Sequence, residues 1–154
     1  MHAAKDAAER DRVWSARRAA LSALAKLKPT VVLEDATVPR SQVPAMIRAI
    51  EGISQKFHLP IGTFGHAGDG NLHPTILTDR RDQQEWARVE AAVEAIFDAA
   101  LALGGTLSGE HGIGKAKARF LEKEVGPGTI LYSKRIKAAL DPKNILNPGQ
   151  SIGE

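Results

Sequence analysis

Residues 61–77 read IGTFGHAGDGNLHPTIL, and the fold turns on how they are read. Ile61 to Phe64 and Leu72 to Leu77 are two short β-prone runs around Gly65, Gly68 and Gly70, which predicts a β-hairpin. With Asp69-Gly70 at the centre of a two-residue type I′ turn, Gly68 pairs with Asn71, Ala67 with Leu72, His66 with His73 and Phe64 with Thr75. Directly opposed residues carry Cβ atoms about 4.5–5.5 Å apart on one face of the ribbon, so two imidazoles could share one ion. Asn71 and Thr75 fall on that same face.

Upstream, residues 31–38 (VVLEDATV) are β-branched at Val31, Val32, Thr37 and Val38 and predict a strand. Pro39 and a Ser41 cap lead into a helix with Val43, Met46, Ile47, Ile50 and Phe57 on one face. Downstream, Trp86, Val89, Val93, Ile96, Phe97 and Ala100 give residues 82–103 a helical stripe, closed by Gly104 and Gly105 and followed by a short strand at 106–108. Counted from Val31 the order is strand, helix, strand, strand, helix, strand. That is an α+β, ferredoxin-like split βαβ pattern with an antiparallel sheet. Val13, Trp14, Arg17, Leu21 and Leu24 predict a helix over residues 5–27, ended by Pro29. Helices over 116–124 and 129–140 and a turn-rich tail, DPKNILNPGQ, complete the chain. With no repeat or low-complexity linker, residues 1–154 read as one domain with extra N- and C-terminal helices.

Composition narrows the chemistry. The 154 residues are 43% hydrophobic and 25% charged, as in an ordinary soluble domain. The chain has no Cys, which excludes disulfides, thiol nucleophiles, thiolate metal sites and iron–sulfur clusters. Any metal must be held by nitrogen and oxygen. The 21 Lys+Arg against 18 Asp+Glu are dispersed, so there is no nucleic-acid footprint. A charged, Ala-rich start and the lack of a long apolar run predict a cytoplasmic setting, or one peripheral to the inner face of a membrane.

A second stretch, SGEHGIGKAK (residues 108–117), places Glu110 and His111 where a short strand passes into a Gly-flanked loop. Its G-x-x-G-x-G spacing is not the dinucleotide fingerprint, and no Lys-Ser or Lys-Thr closes a Walker loop. Adjacent side chains point to different sides, so Glu110 could complete a two-His, one-carboxylate site while His111 faces a substrate as a base. An ordinary capping Glu and surface His would fit these residues equally well.

GHAGDGNLHP, then SGEHGIG about 35 residues later, then LDPKNILNPGQ, together resemble the C-terminal domain of FAD-linked oxidases of the vanillyl-alcohol oxidase superfamily. The similar branch holds glycolate oxidase flavin subunits and D-lactate and D-2-hydroxyglutarate dehydrogenases. The resemblance runs from about Trp14 to Ile152. It implies a divalent metal, usually zinc, on His66, His73 and Glu110, with His111 as catalytic base. It also implies that Arg17, three residues after Trp14 and next to Arg18, clamps the substrate carboxylate, and that Asn147 approaches the edge of the FAD. The implied partners are a small 2-hydroxy acid and an FAD-binding domain or subunit; a peripheral membrane or electron-acceptor partner and a homo-oligomer stay open. Two positions depart from relatives that act on 2-hydroxyglutarate: Leu33 stands where they carry Lys, and Thr75 where they carry Asn. Both favour a monocarboxylate such as glycolate or D-lactate. The family's FAD-binding domain of some two hundred residues is not in this sequence, so the chain is expected to be an excised substrate-side half or one subunit of a split enzyme, inactive by itself. The competing readings are a stand-alone His2Glu zinc hydrolase, which lacks the helical His-Glu-x-x-His spacing of metalloproteases, and a non-catalytic metal-binding module.

Overall fold

In a computed structural model, residues 4–150 and residue 152 are described. The elements are α1 (Ala7–Leu24), β1 (Thr30–Leu33), β2 (Ala36–Thr37), α2 (Val43–Phe57), β3 (Ile61–His66), β4 (Asn71–Thr78), α3 (Gln83–Ala102) and α4 (Ala118–Leu140). Strand β4 is the hub: β3 pairs with it along one edge, β1 and β2 along the other, all antiparallel. Thr37 also bridges to Thr106 on its outer side, so the expected last strand is reduced to one bridge. Read across the sheet, the order is Thr106, β1/β2, β4, β3, which is the ferredoxin-like arrangement.

The predicted strand at 31–38 is interrupted rather than divided in two. Thr30 pairs with Thr78 and Thr37 with Asn71 in one unbroken register, and the Glu34 N–H still donates to Pro74 O at 2.9 Å. Proline has no N–H to return that bond. The ladder therefore opens at Glu34 and Asp35, opposite Pro74 and His73.

The two sheet faces have different uses. Ala36, Val38, Leu72 and Ile76 face the helices and join Met46, Ile50 and Ile53 of α2 with Val89, Ala92, Ile96 and Ala100 of α3 in the main core. Each large apolar side chain buried there contributes about 1.5–3 kcal/mol. A second, smaller cluster of Phe97, Leu107 and Phe120 ties α3 to α4 and to the segment after Thr106. On the opposite face, Asn71, His73 and Thr75 of β4 are buried despite their polarity.

Several local expectations are corrected. Ser41 is not a cap: it lies in a 3-10 turn (Arg40–Gln42), and the first turn of α2 takes no side-chain hydrogen bond from its N-cap Gln42. Asp82 does cap α3, accepting from the Gln84 and Glu85 amides. Helix α1 stops at Leu24, short of Pro29, and none of its residues is buried; Val13, Trp14 and Leu21 are exposed. The two helices expected at 116–124 and 129–140 are, by contrast, both present within α4, separated at Gly126, whose φ of 76° leaves the helical region just before Pro127.

The hairpin register is also corrected. His66 pairs with Asn71 and Phe64 with His73, two residues away from the expected alignment. The connection is a four-residue loop closed by Asp69 N–H donating to His66 O at 2.9 Å. A type I′ turn needs positive φ at both central residues; Gly70 has it (φ 76°), Asp69 does not. A two-residue slip leaves every side chain on its face, so Phe64, His66, Asn71, His73 and Thr75 still share one face.

Candidate metal centre

His73 Nε2 lies 2.9 Å from Glu110 Oε1, and His66 Nε2 lies 3.7 Å from the same oxygen. One donor atom from each of His66, His73 and Glu110 lies within 4.8 Å of the others, a spacing one small cation can span. The imidazoles come from neighbouring strands, with ring centroids 5.4 Å apart at 88°. His73 is buried, whereas His66 and Glu110 are each about half exposed, so the cluster has a dry floor and a wet rim.

Glu110 reaches the strands because its loop is fastened tightly. A Cβ on Gly109 would fall 2.3 Å from Thr37 Oγ1 and 2.9 Å from Asn71 Nδ2, so only glycine lets the backbone descend onto the sheet there. Asp35, fully buried, draws the next residues in: its Oδ2 accepts from Ser108 Oγ (2.7 Å), Glu110 N–H (2.9 Å) and His111 N–H (2.9 Å). Burial alone would push the Asp35 carboxyl up, but these hydrogen bonds and a backbone bond from Gly109 hold it well below the usual carboxylate range. Lys117 fixes the loop's other side, donating to Leu107 O (2.7 Å) and Asp35 O (3.3 Å), with its Nζ 3.9 Å from Asp35 Oδ2. Burial pushes the Lys117 ammonium down against the attraction of Asp35, Glu34 and Glu124. Glu124 of α4 clamps the start of the segment, accepting from Thr106 Oγ1 (2.6 Å) and Leu107 N–H (3.0 Å).

His111 stacks on His73, ring centroids 5.1 Å apart and planes 12° from parallel, with its Nε2 3.8 Å from Glu110 Oε1. The expectation that Glu110 and His111 point to different sides is therefore corrected. The backbone at 109–112 is a loop rather than a strand, so strict alternation does not apply. Burial pushes the His73 imidazolium pKa down, as do His111 and His66, while Glu110 and Asp35 push it up; the balance favours the neutral ring that a cation requires.

The remaining sequence candidates divide. The Arg17 guanidinium sits 4.7 Å from the centroid of Phe64, whose ring is 5.6 Å from that of His73, so α1 delivers this cation to the rim of the cluster. Leu33 pairs with Thr75 and so lies on the His73 face. Asn71 accepts from Thr37 Oγ1 at 3.0 Å, and Thr75 donates to His73 O at 3.2 Å; both are engaged in supporting the floor. Asn147 is exposed in the C-terminal tail with φ 48°, and the tail approaches the Gly112–Gly114 stretch of the loop through Gln150, beside Gly114. Asp35, Lys117 and Ser108 were not singled out from sequence. The available signal was an acidic pair inside VVLEDATV, since Asp is depleted from strands unless it has a specific partner there.

Two imidazole nitrogens and a carboxylate oxygen, with room on the exposed side, match the donor set of a borderline divalent cation with an open position. No described helix is long and apolar enough to cross a membrane.

Comparison with known proteins supplies the lineage. The chain is 56% identical over 139 residues to the glycolate oxidase subunit GlcD of Bacillus subtilis, covering 90% of this chain and 30% of that protein. It is 42% identical over 153 residues to a probable mitochondrial D-lactate dehydrogenase of Danio rerio, covering 97% of this chain and 30% of that protein. It is 40% identical over 121 residues to the D-2-hydroxyglutarate dehydrogenase of Stutzerimonas stutzeri, covering 75% and 26%. The chain thus spans under a third of the length of these relatives. The family described as FAD linked oxidases, C-terminal domain, matches residues 1–151, and the chain belongs to that family.

Proposed function

We propose that this chain is the substrate- and metal-binding part of a flavin-dependent 2-hydroxy-acid oxidoreductase that oxidises glycolate or D-lactate to the 2-oxo acid. The observation that carries this reading is the convergence of His66 Nε2, His73 Nε2 and Glu110 Oε1, with His111 stacked beside them, in a chain similar to glycolate oxidase and D-lactate dehydrogenase sequences. Zinc would be held by those three atoms, and when bound it supplies Lewis acidity that lowers the pKa of a coordinated alcohol. FAD, carried by a partner domain or subunit, supplies the hydride acceptor.

The chain's own residues do the rest. Arg17 receives the substrate carboxylate in a bidentate contact, leaving the α-carbon over the cluster. His111 takes the proton of the 2-hydroxyl at Nε2 as the α-hydrogen departs as hydride, a role worth about 10²- to 10⁴-fold in rate. Leu33 presents no cation on the site face, so a second carboxylate finds no partner there. Placement of the two histidines on neighbouring strands, rather than on one helix, counts against a hydrolase of the metalloprotease type.

Elemental analysis after chelation and zinc refill tests the metal. One zinc per chain is expected for the wild type and loss of it for His73→Ala, with affinity falling on acidification because a protonated imidazole cannot ligate a cation. Equal zinc retention by the two proteins would remove the centre from the proposal.

A further inference from the structure

Among the described residues, four buried side-chain polar atoms lack a hydrogen-bond partner, and two of them are Asp35 Oδ1 and His73 Nδ1. Their positions are not independent. The Glu34 N–H bond to Pro74 O makes residues 34 and 74 a hydrogen-bonded pair, so the next residues, Asp35 and His73, form a non-hydrogen-bonded pair. Such pairs bring Cα atoms to about 4.5 Å and set side chains on one face at their closest approach. Thr37 and Asn71, the next pair of the same kind, show what that spacing allows: their side chains bond at 3.0 Å.

We infer that Asp35 is a positioning residue for the metal centre: its Oδ1 accepts a hydrogen bond from His73 Nδ1–H, while its Oδ2 holds the backbone of Glu110. The inference rests on the metal reading above and extends it to a residue outside the ligand set. One buried carboxylate then acts on two ligands at once. It orients the His73 ring so that Nε2 faces Glu110, and it fixes the loop that brings Glu110 to meet that ring. Pairing the two atoms also removes two buried unsatisfied groups, each of which is costly when left alone. A ligating imidazole whose second N–H is held by a carboxylate binds its cation more tightly, and loss of that carboxylate typically costs 10- to 100-fold in affinity. Lys117 approaches Oδ2 and the backbone oxygen of Asp35, so its charge supports the carboxylate.

The test uses imidazole nitrogen NMR on the zinc-free chain together with zinc titration against a competing chelator. In the wild type, His73 Nδ1 is expected to carry a proton shifted downfield and slow to exchange. Asp35→Asn should abolish that signature and weaken zinc binding about 10- to 100-fold. Ser108→Ala, which removes only a contact to Oδ2, should keep the signature and most of the affinity. A bare Nδ1 in the wild type, which needs no variant to observe, would overturn the inference. So would a signature unchanged in Asp35→Asn, or equal zinc losses in Asp35→Asn and Ser108→Ala, which would reduce Asp35 to a loop anchor. A protonated, Asp35-dependent Nδ1 in a chain that binds no zinc would instead support the pairing and overturn the metal reading.

Discussion

Gly109→Ala should damage the candidate centre more than any single methyl normally damages a surface loop. The added Cβ would lie 2.3 Å from Thr37 Oγ1, 2.9 Å from Asn71 Nδ2 and 3.0 Å from Asn71 Cγ. Neither neighbour yields easily: Thr37 is β-branched and stiff at χ1, and the two side chains are bonded to each other within the sheet. The loop must therefore lift, by about 1 Å or more to restore a normal contact. Lifting it stretches the bonds from the Ser108 hydroxyl and the Glu110 and His111 amides to Asp35. Overpacking of this kind costs about 1–3 kcal/mol, and each hydrogen bond to a charged acceptor that is lost adds about 1.5–3 kcal/mol. We expect Gly109→Ala to lower unfolding free energy by about 2–4 kcal/mol and to weaken zinc binding at least about tenfold, equivalent to about 1.4 kcal/mol. Urea unfolding with chelator-competed zinc titration measures both. Thr37→Ala removes the nearest obstruction, so the double variant should recover part of each loss, giving a coupling energy of about 0.5–3 kcal/mol. A Gly109→Ala protein within about 0.5 kcal/mol of wild type, with unchanged zinc affinity, would show that the close descent of the loop onto Thr37 and Asn71 does not hold Glu110 in place.

Two further outcomes follow from particular residues. With a flavin-binding partner supplied, the ratio of kcat/KM for glycolate or D-lactate to that for 2-hydroxyglutarate should favour the monocarboxylate, and Leu33→Lys should move it toward the dicarboxylate by about 1.5–3 kcal/mol, about 10- to 150-fold; an unmoved ratio would take Leu33 out of the pocket. Because Asp35 holds its proton less tightly folded than unfolded, the stability it contributes is fully present above about pH 5, where the unfolded carboxyl is ionised, and is lost progressively as pH falls below that. Chemical unfolding as a function of pH should therefore show the gap between wild type and Asp35→Asn narrowing from pH 5 toward pH 2, with a slope that approaches at most about 1.4 kcal/mol per pH unit, whereas a gap constant across that range would mean that Asp35 titrates normally.

What the sequence revealed and what it concealed both trace to the geometry of the strands. Helix α3 and the βαββαβ order were legible because apolar side chains at helical spacing and β-branched runs report burial directly. The partners of the two histidines were not, since the Asp69-Gly70 pair admits more than one loop, and only the φ of Asp69 separates them. Yet His66 and His73 still meet at Glu110, because the register error was an even number of residues. An error of one would have sent His73 into the apolar layer with Leu72 and Ile76 and brought Pro74 to the cluster. The site therefore depended on parity, which the alternation of Leu72, His73, Pro74, Thr75 and Ile76 records, more than on register, which the turn decides. Asp35 lay beyond both kinds of signal. Its position opposite His73 follows from β1 and β2 sharing one register with β4 across the gap at Pro74, and no local pattern states which distant strand will lie alongside.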